Sequence, residues 1–224
     1  MSFIVIEGLD GAGKSTQVKK IKEFFATKGI ETEYVHFPRY DSPIYGDMVA
    51  EFLRGDYGSL DTVHPKIVAL LYALDRQQAA PMINGWLSEG KAVIVDRYVY
   101  SNIAYQCAKS DKKEELKQWI LNLEYGQNKI PEPDLTLFLD VPFSFTTAKL
   151  TEEREGDDRD YLLGKKDIHE ASLSFQESVR EVYIECSGEK DNYKVIPCSD
   201  AEGGMATADV IFNRIKNEIE KFAL

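Results

Sequence analysis

Apolar positions follow two rhythms along this chain of 224 residues. Short continuous runs, Phe3-Ile4-Val5-Ile6 and Lys91-Ala92-Val93-Ile94-Val95, read as strands covered on both faces, which suits parallel pairing. Between such runs the apolar spacing is helical. Residues 16–28 place Val18, Ile21, Phe24 and Phe25 on one side of a helix that stops at Lys28-Gly29. Strand two is expected at 31–37, a short helix at 45–53, and a long helix at about 62–87. That long helix counts Ile67, Leu70, Leu71 and Leu74 among its apolar positions, with Pro81 as the place for a kink. Helices are expected at about 101–109 and 114–125, then strand four at 135–141 after Pro131-Glu132-Pro133-Asp134. Asp167-x-x-Glu170 has the form of a capping box for a helix burying Ile168, Ala171, Phe175, Val179, Val182 and Cys186. A short fifth strand at 194–197 precedes a last helix at about 206–222 with Ile211, Phe212, Ile215 and Ile219 inward. The alternation predicts a doubly wound α/β fold: a five-stranded parallel sheet with helices on both faces.

In such sheets ligands gather beyond the carboxyl ends of the strands. Those ends carry residues 8–15, 37–39, 96–98 and 198–200, so one site is expected from several separate stretches. The first is the most specific. Gly8-Leu9-Asp10-Gly11-Ala12-Gly13-Lys14-Ser15-Thr16 fits G-x-x-x-x-G-K-[ST] between a predicted strand and a predicted helix. Its glycines let backbone N–H groups converge on phosphate oxygens at the positive end of the helix. Lys14 can reach the β- and γ-phosphates, and the Ser15 hydroxyl can ligate Mg²⁺. Asp96, directly after an apolar strand, is the second expected metal ligand.

Composition narrows the class. The net charge of −11, from 27 basic and 38 acidic residues, argues against a nucleic-acid polymer as partner, since its phosphates demand a positive surface. A small phosphorylated ligand needs only a few local cations. No apolar run approaches the roughly 18–20 residues of a membrane span. Met1-Ser2 leads straight into the first strand without a signal pattern. Cys107, Cys186 and Cys198 lack paired spacing, so free thiols in a reducing cytoplasm are expected. His36, His64 and His169 lack metal-ligand spacing. The whole chain, 1–224, reads as one domain with a charged lid at about 151–167, where 11 of 17 residues are charged.

Two nucleotide-binding classes compete with an enzyme acting on a second phosphorylated substrate. A guanine-specific switch needs N-K-x-D, and the nearest stretch is Asn128-Lys129-Ile130-Pro131, with proline where the base-reading aspartate should stand. An ATP-driven binding protein has no need of Arg39, Arg76 and Arg97 aimed at a second anion.

The stretch Asp96-Arg97-Tyr98-x-x-Ser101-Asn102-x-Ala104-Tyr105-Gln106 resembles the D-R-[YH]-x-x-S-x-x-A-[YF] signature of the thymidylate kinases. Phe37-Pro38-Arg39 and Leu71-Tyr72-Ala73-x-x-Arg76 resemble two further regions of that family. The resemblance implies a P-loop kinase fold and transfer of the γ-phosphoryl group from ATP-Mg²⁺ to dTMP in dTTP biosynthesis. It implies that Asp10 accepts a hydrogen bond from the acceptor's 3′-OH, and that Arg39 and Arg97 hold the dTMP phosphate. Phe37 and Ser101 belong to the same dTMP site. Tyr72 would stack on thymine, Arg76, Asn102 and Gln106 would meet the base edge, and Tyr105 would fill the space of a ribose 2′-OH. A homodimer is also implied. Two departures are visible. The family often puts one residue between Phe-Pro and its arginine, whereas Arg39 follows Pro38 directly. One branch carries an arginine in the phosphate loop where this chain has Gly11; the other supplies it from the lid, where Arg154 and Arg159 lie.

Overall fold

The computed structural model describes residues 2–60, 62–151, 161–163, 167 and 172–222. Five strands, β1 (Ser2–Glu7), β2 (Thr32–His36), β3 (Ala92–Asp96), β4 (Leu135–Asp140) and β5 (Tyr193–Pro197), form one sheet in the order β2-β3-β1-β4-β5. All four pairings are parallel, with Ile4 beside Ile94 on one flank and Leu135 on the other.

Strand β1 is buried along its whole length, which is why its apolar run is continuous. Its side chains alternate between two cores. Phe3 and Val5 join Val93, Val95 and Phe138 in one, and Ile4 and Ile6 join Ile94, Leu135, Leu137 and Leu139 in the other. The first core is closed by α3 (Pro65–Ser88), α4 (Val99–Cys107) and α7 (Leu173–Cys186); the second by α1 (Lys14–Thr27) and α8 (Ala208–Phe222). Fully burying one such side chain contributes about 1.5–3 kcal/mol, so two filled faces outweigh any alternative register.

Several expectations change in detail. Helix α1 begins at Lys14, two residues early, because Gly13 at φ 79° serves as its cap. Helix α3 runs 24 residues through Pro81, since a proline removes one helical donor without having to end the helix. Its buried face differs from the expected one: Ile67 is 55% and Leu70 37% exposed, while Ala69, Ala73, Asp75, Arg76 and Ala79 are buried beside Leu71. Small residues let this helix lie close to its neighbours, and its inward polar pair serves the site rather than the core. The expected helix at 114–125 is α5 (Lys113–Leu121) followed by a π-helical turn, Asn122–Gln127. Helix α7 is capped by Ser172, whose hydroxyl accepts from the Phe175 amide at 3.2 Å. The Asp167-x-x-Glu170 box therefore does not start it, and Ile168, Glu170 and Ala171 lie outside the described residues. Asp167 instead accepts a hydrogen bond from the Tyr161 hydroxyl at 2.9 Å. Two helices complete the order: α2 (Tyr45–Leu53), as expected, and α6 (Phe143–Thr151), which the apolar pattern did not announce.

Candidate active site

The end of β1 runs into the glycine loop. Gly11 and Gly13 have φ of 76° and 79°, left-handed values that other residues adopt at a steric cost. A Cβ on Gly8 would come 3.2 Å from that of Ala12 and 3.5 Å from that of Leu139, so the loop lies flat against β4. Lys14 is buried, with Nζ 3.2 Å from the Leu9 carbonyl oxygen and 3.9 Å from Asp96 Oδ1. Burial and the nearby Arg97 push its ammonium pKa down. Ser15 and Thr16 lie exposed on the first turn of α1.

Beside the loop, β3 ends at Asp96 and the chain turns through Arg97 at φ 66° into α4. The turn is held from β1. Glu7 is fully buried; its Oε1 accepts the Tyr98 amide at 3.0 Å and the Ser101 amide at 3.1 Å, and its Oε2 accepts the Tyr183 hydroxyl at 3.1 Å. The Ser101 hydroxyl also donates to Oε2. Burial raises the Glu7 pKa against these hydrogen bonds and the pull of Arg97. Arg97 thereby points at the loop, with Nη2 2.6 Å from Asp10 Oδ1, and its guanidinium lies 5.4 Å from the Tyr105 ring centroid. The Tyr105 hydroxyl donates to Asp10 Oδ2 at 3.0 Å.

These groups border a cavity whose wall includes Asp10, Phe37, Tyr72, Arg76, Arg97, Ser101, Asn102, Tyr105 and Gln106. Its deep end is polar without being fully paired. Asn102 Oδ1 and both amide atoms of Gln106 are buried and have no hydrogen-bond partner. Asp10 belongs both to the phosphate loop and to this wall. The phosphate loop and the cavity therefore meet at one carboxylate, bridged by Arg97.

The model of the thymidylate kinase family matches residues 6–205. The chain belongs to the thymidylate kinase family. A thymidylate kinase of Mycobacterium tuberculosis is 34% identical over 191 residues, spanning 84% of this chain and 86% of that one. A probable thymidylate kinase of Methanosphaera stadtmanae is 33% identical over 224 residues, spanning 98% of each. The solved structure of the thymidylate kinase from Candida albicans matches with a TM-score of 0.74 at 25% identity, covering 98% of this chain and 91% of that one.

In this thymidylate kinase family member one expected residue is not brought to the cavity. Arg39 donates from Nε to Asp75 Oδ1 at 2.9 Å and from Nη2 to Gln78 Oε1 at 2.8 Å, and it lines the neighbouring groove instead. Asp75, buried beside Arg76 on α3, accounts for this: it offers Arg39 a carboxylate that is closer than the cavity. Arg154 and Arg159 lie outside the described residues. The structure also adds wall residues that the sequence reading missed. Tyr40 stacks on Tyr161 with ring centroids 3.7 Å apart; a tyrosine inside an otherwise charged stretch was the available signal. Glu124 binds Arg76 behind the wall, and its signal was a carboxylate on an apolar stripe.

Asp10 makes the electrostatics testable. Burial pushes its carboxyl up, but Arg97, Lys14 and the Tyr105 hydroxyl outweigh that and hold its pKa well below the ordinary 3.8. Such a group stabilises the fold above its unfolded pKa, and the contribution is lost as pH falls toward its folded pKa. The unfolding free energy of the protein minus that of Asp10→Asn should shrink by about 1 kcal/mol between about pH 7 and about pH 3. Denaturant unfolding of both at the two pH values checks this. A difference that stays flat or grows toward acid contradicts the assignment.

Proposed function

We propose that this member of the thymidylate kinase family transfers the γ-phosphoryl group of ATP to dTMP, giving dTDP and ADP. One observation carries the reading: Asp10 and Arg97 join the phosphate loop to a cavity whose wall combines the aromatic Tyr72 and Tyr105 with the polar Arg76, Asn102 and Gln106. ATP phosphates rest on the N–H groups of residues 8–16, with Lys14 on the β- and γ-oxygens. The dTMP phosphate lies against Arg97, whose planar fork binds two oxygens at once. Asp10 takes the 3′-OH. A phosphate oxygen of dTMP attacks the γ-phosphorus while the bond to the β-phosphate oxygen breaks. A monophosphate has its second pKa near about 6, so the attacking oxygen needs no general base at neutral pH. The chain's task is to align two anions and to offset their repulsion.

Magnesium fits the residues present. Asp96 Oδ1 is buried without a hydrogen-bond partner, and burial of this carboxyl is outweighed by Lys14 and His36, so its pKa is lowered and it stays ionised. Asp96 and Ser15 would hold the ion, with phosphate oxygens and water completing its shell. Bound there, Mg²⁺ supplies neutralising charge to the phosphoryl oxygens.

The base end follows from the wall. Tyr72 offers a ring face to the pyrimidine, Phe37 closes one side, and Arg76, Asn102 and Gln106 supply polar groups to the base edge. Tyr105, pinned through its hydroxyl to Asp10, is a rigid wall where a 2′-OH would project. Gly11 carries no charge, so Arg154 or Arg159 of the lid is assigned the charge that stabilises the moving phosphoryl group, a role worth about 10³–10⁵ in rate elsewhere.

Cys107, Cys186 and Cys198 are buried free thiols pushed up to about 12 by burial, which supports a reducing cytoplasm as the setting. The described residues include no helix long and apolar enough to cross a membrane. The exposed Ile67 and Leu70 on α3, 55% and 37% accessible, support a homodimer through that helix. Analytical ultracentrifugation should find twice the 25.4 kDa chain mass; a monomer at micromolar concentration would remove the dimer from the account.

A coupled ADP-release assay over nucleoside monophosphates with ATP-Mg²⁺ tests the reaction itself. The expected order is dTMP first, dUMP weaker by about 10- to 200-fold for the lost methyl, and dCMP and purines far behind. Tyr105→Ala should raise kcat/KM for the ribonucleotide relative to dTMP, and alanine at Arg154 or Arg159 should lower kcat with little change in dTMP affinity. Equal ADP release with and without any acceptor would leave an ATPase in place of the kinase.

A further inference from the structure

Helix α5 buries Leu116 and Ile120 at a spacing of four, and the next position in that stripe is Glu124, fully buried. A carboxylate where the pattern asks for an apolar side chain is costly unless it is paired and hydrogen-bonded. Here it is both. Arg76 Nε lies 3.0 Å from Glu124 Oε2, and Arg76 Nη2 donates to Oε1. Oε1 also accepts from Asn102 Nδ2 at 2.9 Å, and that same Nδ2 donates to the Ala69 carbonyl oxygen at 3.0 Å.

This geometry settles the orientation of both side chains. A carboxylate only accepts, so the end of the Asn102 amide that faces Glu124 and the Ala69 carbonyl has to be its nitrogen. The oxygen is left over, buried and without a partner, on a residue that lines the cavity. Arg76 spends Nε and Nη2 on Glu124, which leaves Nη1 as the donor for the cavity. Arg76 and Asn102 therefore bring a donor and an acceptor to this wall, and Glu124 together with the Ala69 carbonyl fixes which is which.

We infer that Glu124 is a positioning residue for base selection: it holds Arg76 and Asn102 so that the cavity takes a pyrimidine with a carbonyl beside a ring N–H. This rests on the proposed use of the cavity for a pyrimidine monophosphate. Thymine and uracil present that pair of groups. Cytosine presents the reverse, an amino group beside an unprotonated ring nitrogen, and would meet donor with donor and acceptor with acceptor. Leaving buried polar groups so mismatched is what gives hydrogen-bonding sites their large discrimination. Glutamine at 124 could instead offer an N–H to Asn102, which would leave the Ala69 carbonyl as the one acceptor holding the Asn102 nitrogen on that side.

Calorimetric titration of dTMP and dCMP into the protein and into Glu124→Gln tests this. The ratio of the two affinities should fall at least about tenfold in the variant, the worth of about one hydrogen bond, with ATP affinity unchanged. A Glu124 that only neutralises Arg76 would weaken both nucleotides alike, and an unchanged ratio overturns the inference. Should Glu124→Gln not fold, Arg76→Met is compared with Arg76→Met/Glu124→Met. The double variant should discriminate less than the single, because the Ala69 carbonyl alone then orients Asn102; equal discrimination overturns the inference. A wild-type protein without preference for dTMP over dCMP would instead remove the substrate reading beneath it.

Discussion

A single buried carboxylate ties the two halves of this site together. Glu7 stands at the last position of β1, immediately before the phosphate loop, and accepts the amides of Tyr98 and Ser101 at the start of α4. The first amides of a helix have no partner within it and carry its positive end, so a carboxylate there is favourable. That contact fixes where α4 begins relative to β1, and Arg97 is the residue caught between, held at φ 66°. The Tyr183 hydroxyl extends the anchor to α7. Burying an ion costs several kcal/mol in practice; four donors reduce that cost, and burial still raises the Glu7 pKa. The result is an arginine whose direction is set before any phosphate arrives.

The charges around the loop then work as a chain. Arg97 reaches Asp10, Asp10 holds Tyr105, and Lys14 lies between Asp96 and the loop carbonyls. Each charged group is turned toward an opposite charge in a buried setting, where such interactions are stronger than in water. Preorganisation of this kind spares the reaction the work of reorienting solvent. A deeper layer repeats the principle elsewhere in the cavity wall, where Glu124 holds Arg76 and Asn102 as Glu7 holds the turn at Arg97. In both layers the residue that sets the geometry lies behind the wall.

That layering explains what could be read in the chain before its structure. The parallel sheet was legible because β1 and β3 are buried on both faces and show it as unbroken apolar runs. The phosphate loop was legible because its glycines and lysine serve one geometry at fixed spacing. The wall residues on α4 came from the resemblance of residues 96–106 to a family signature, not from the apolar pattern. The inner face of α3 was not legible: it buries alanines with Asp75 and Arg76, so leucine and isoleucine positions pointed to the wrong side. Arg39 was expected at the dTMP phosphate, and no local pattern announced its partner Asp75 on α3, 36 residues away. Glu124 showed only as a carboxylate on an apolar stripe, because its partners come from α3 and α4 and no local pattern records them. The helix α6 has few of the large apolar residues by which a helix is recognised.

The central claim is that the acceptor's phosphate is received by Arg97 at its junction with the phosphate loop. A crystal structure with dTMP and a non-hydrolysable ATP analogue tests it most directly. The account predicts the dTMP phosphate on the Arg97 guanidinium, with Arg97 still left-handed and both Glu7 contacts to the α4 amides intact. A monophosphate bound away from Arg97, or an Arg97 that has left that conformation to reach it, would contradict the account.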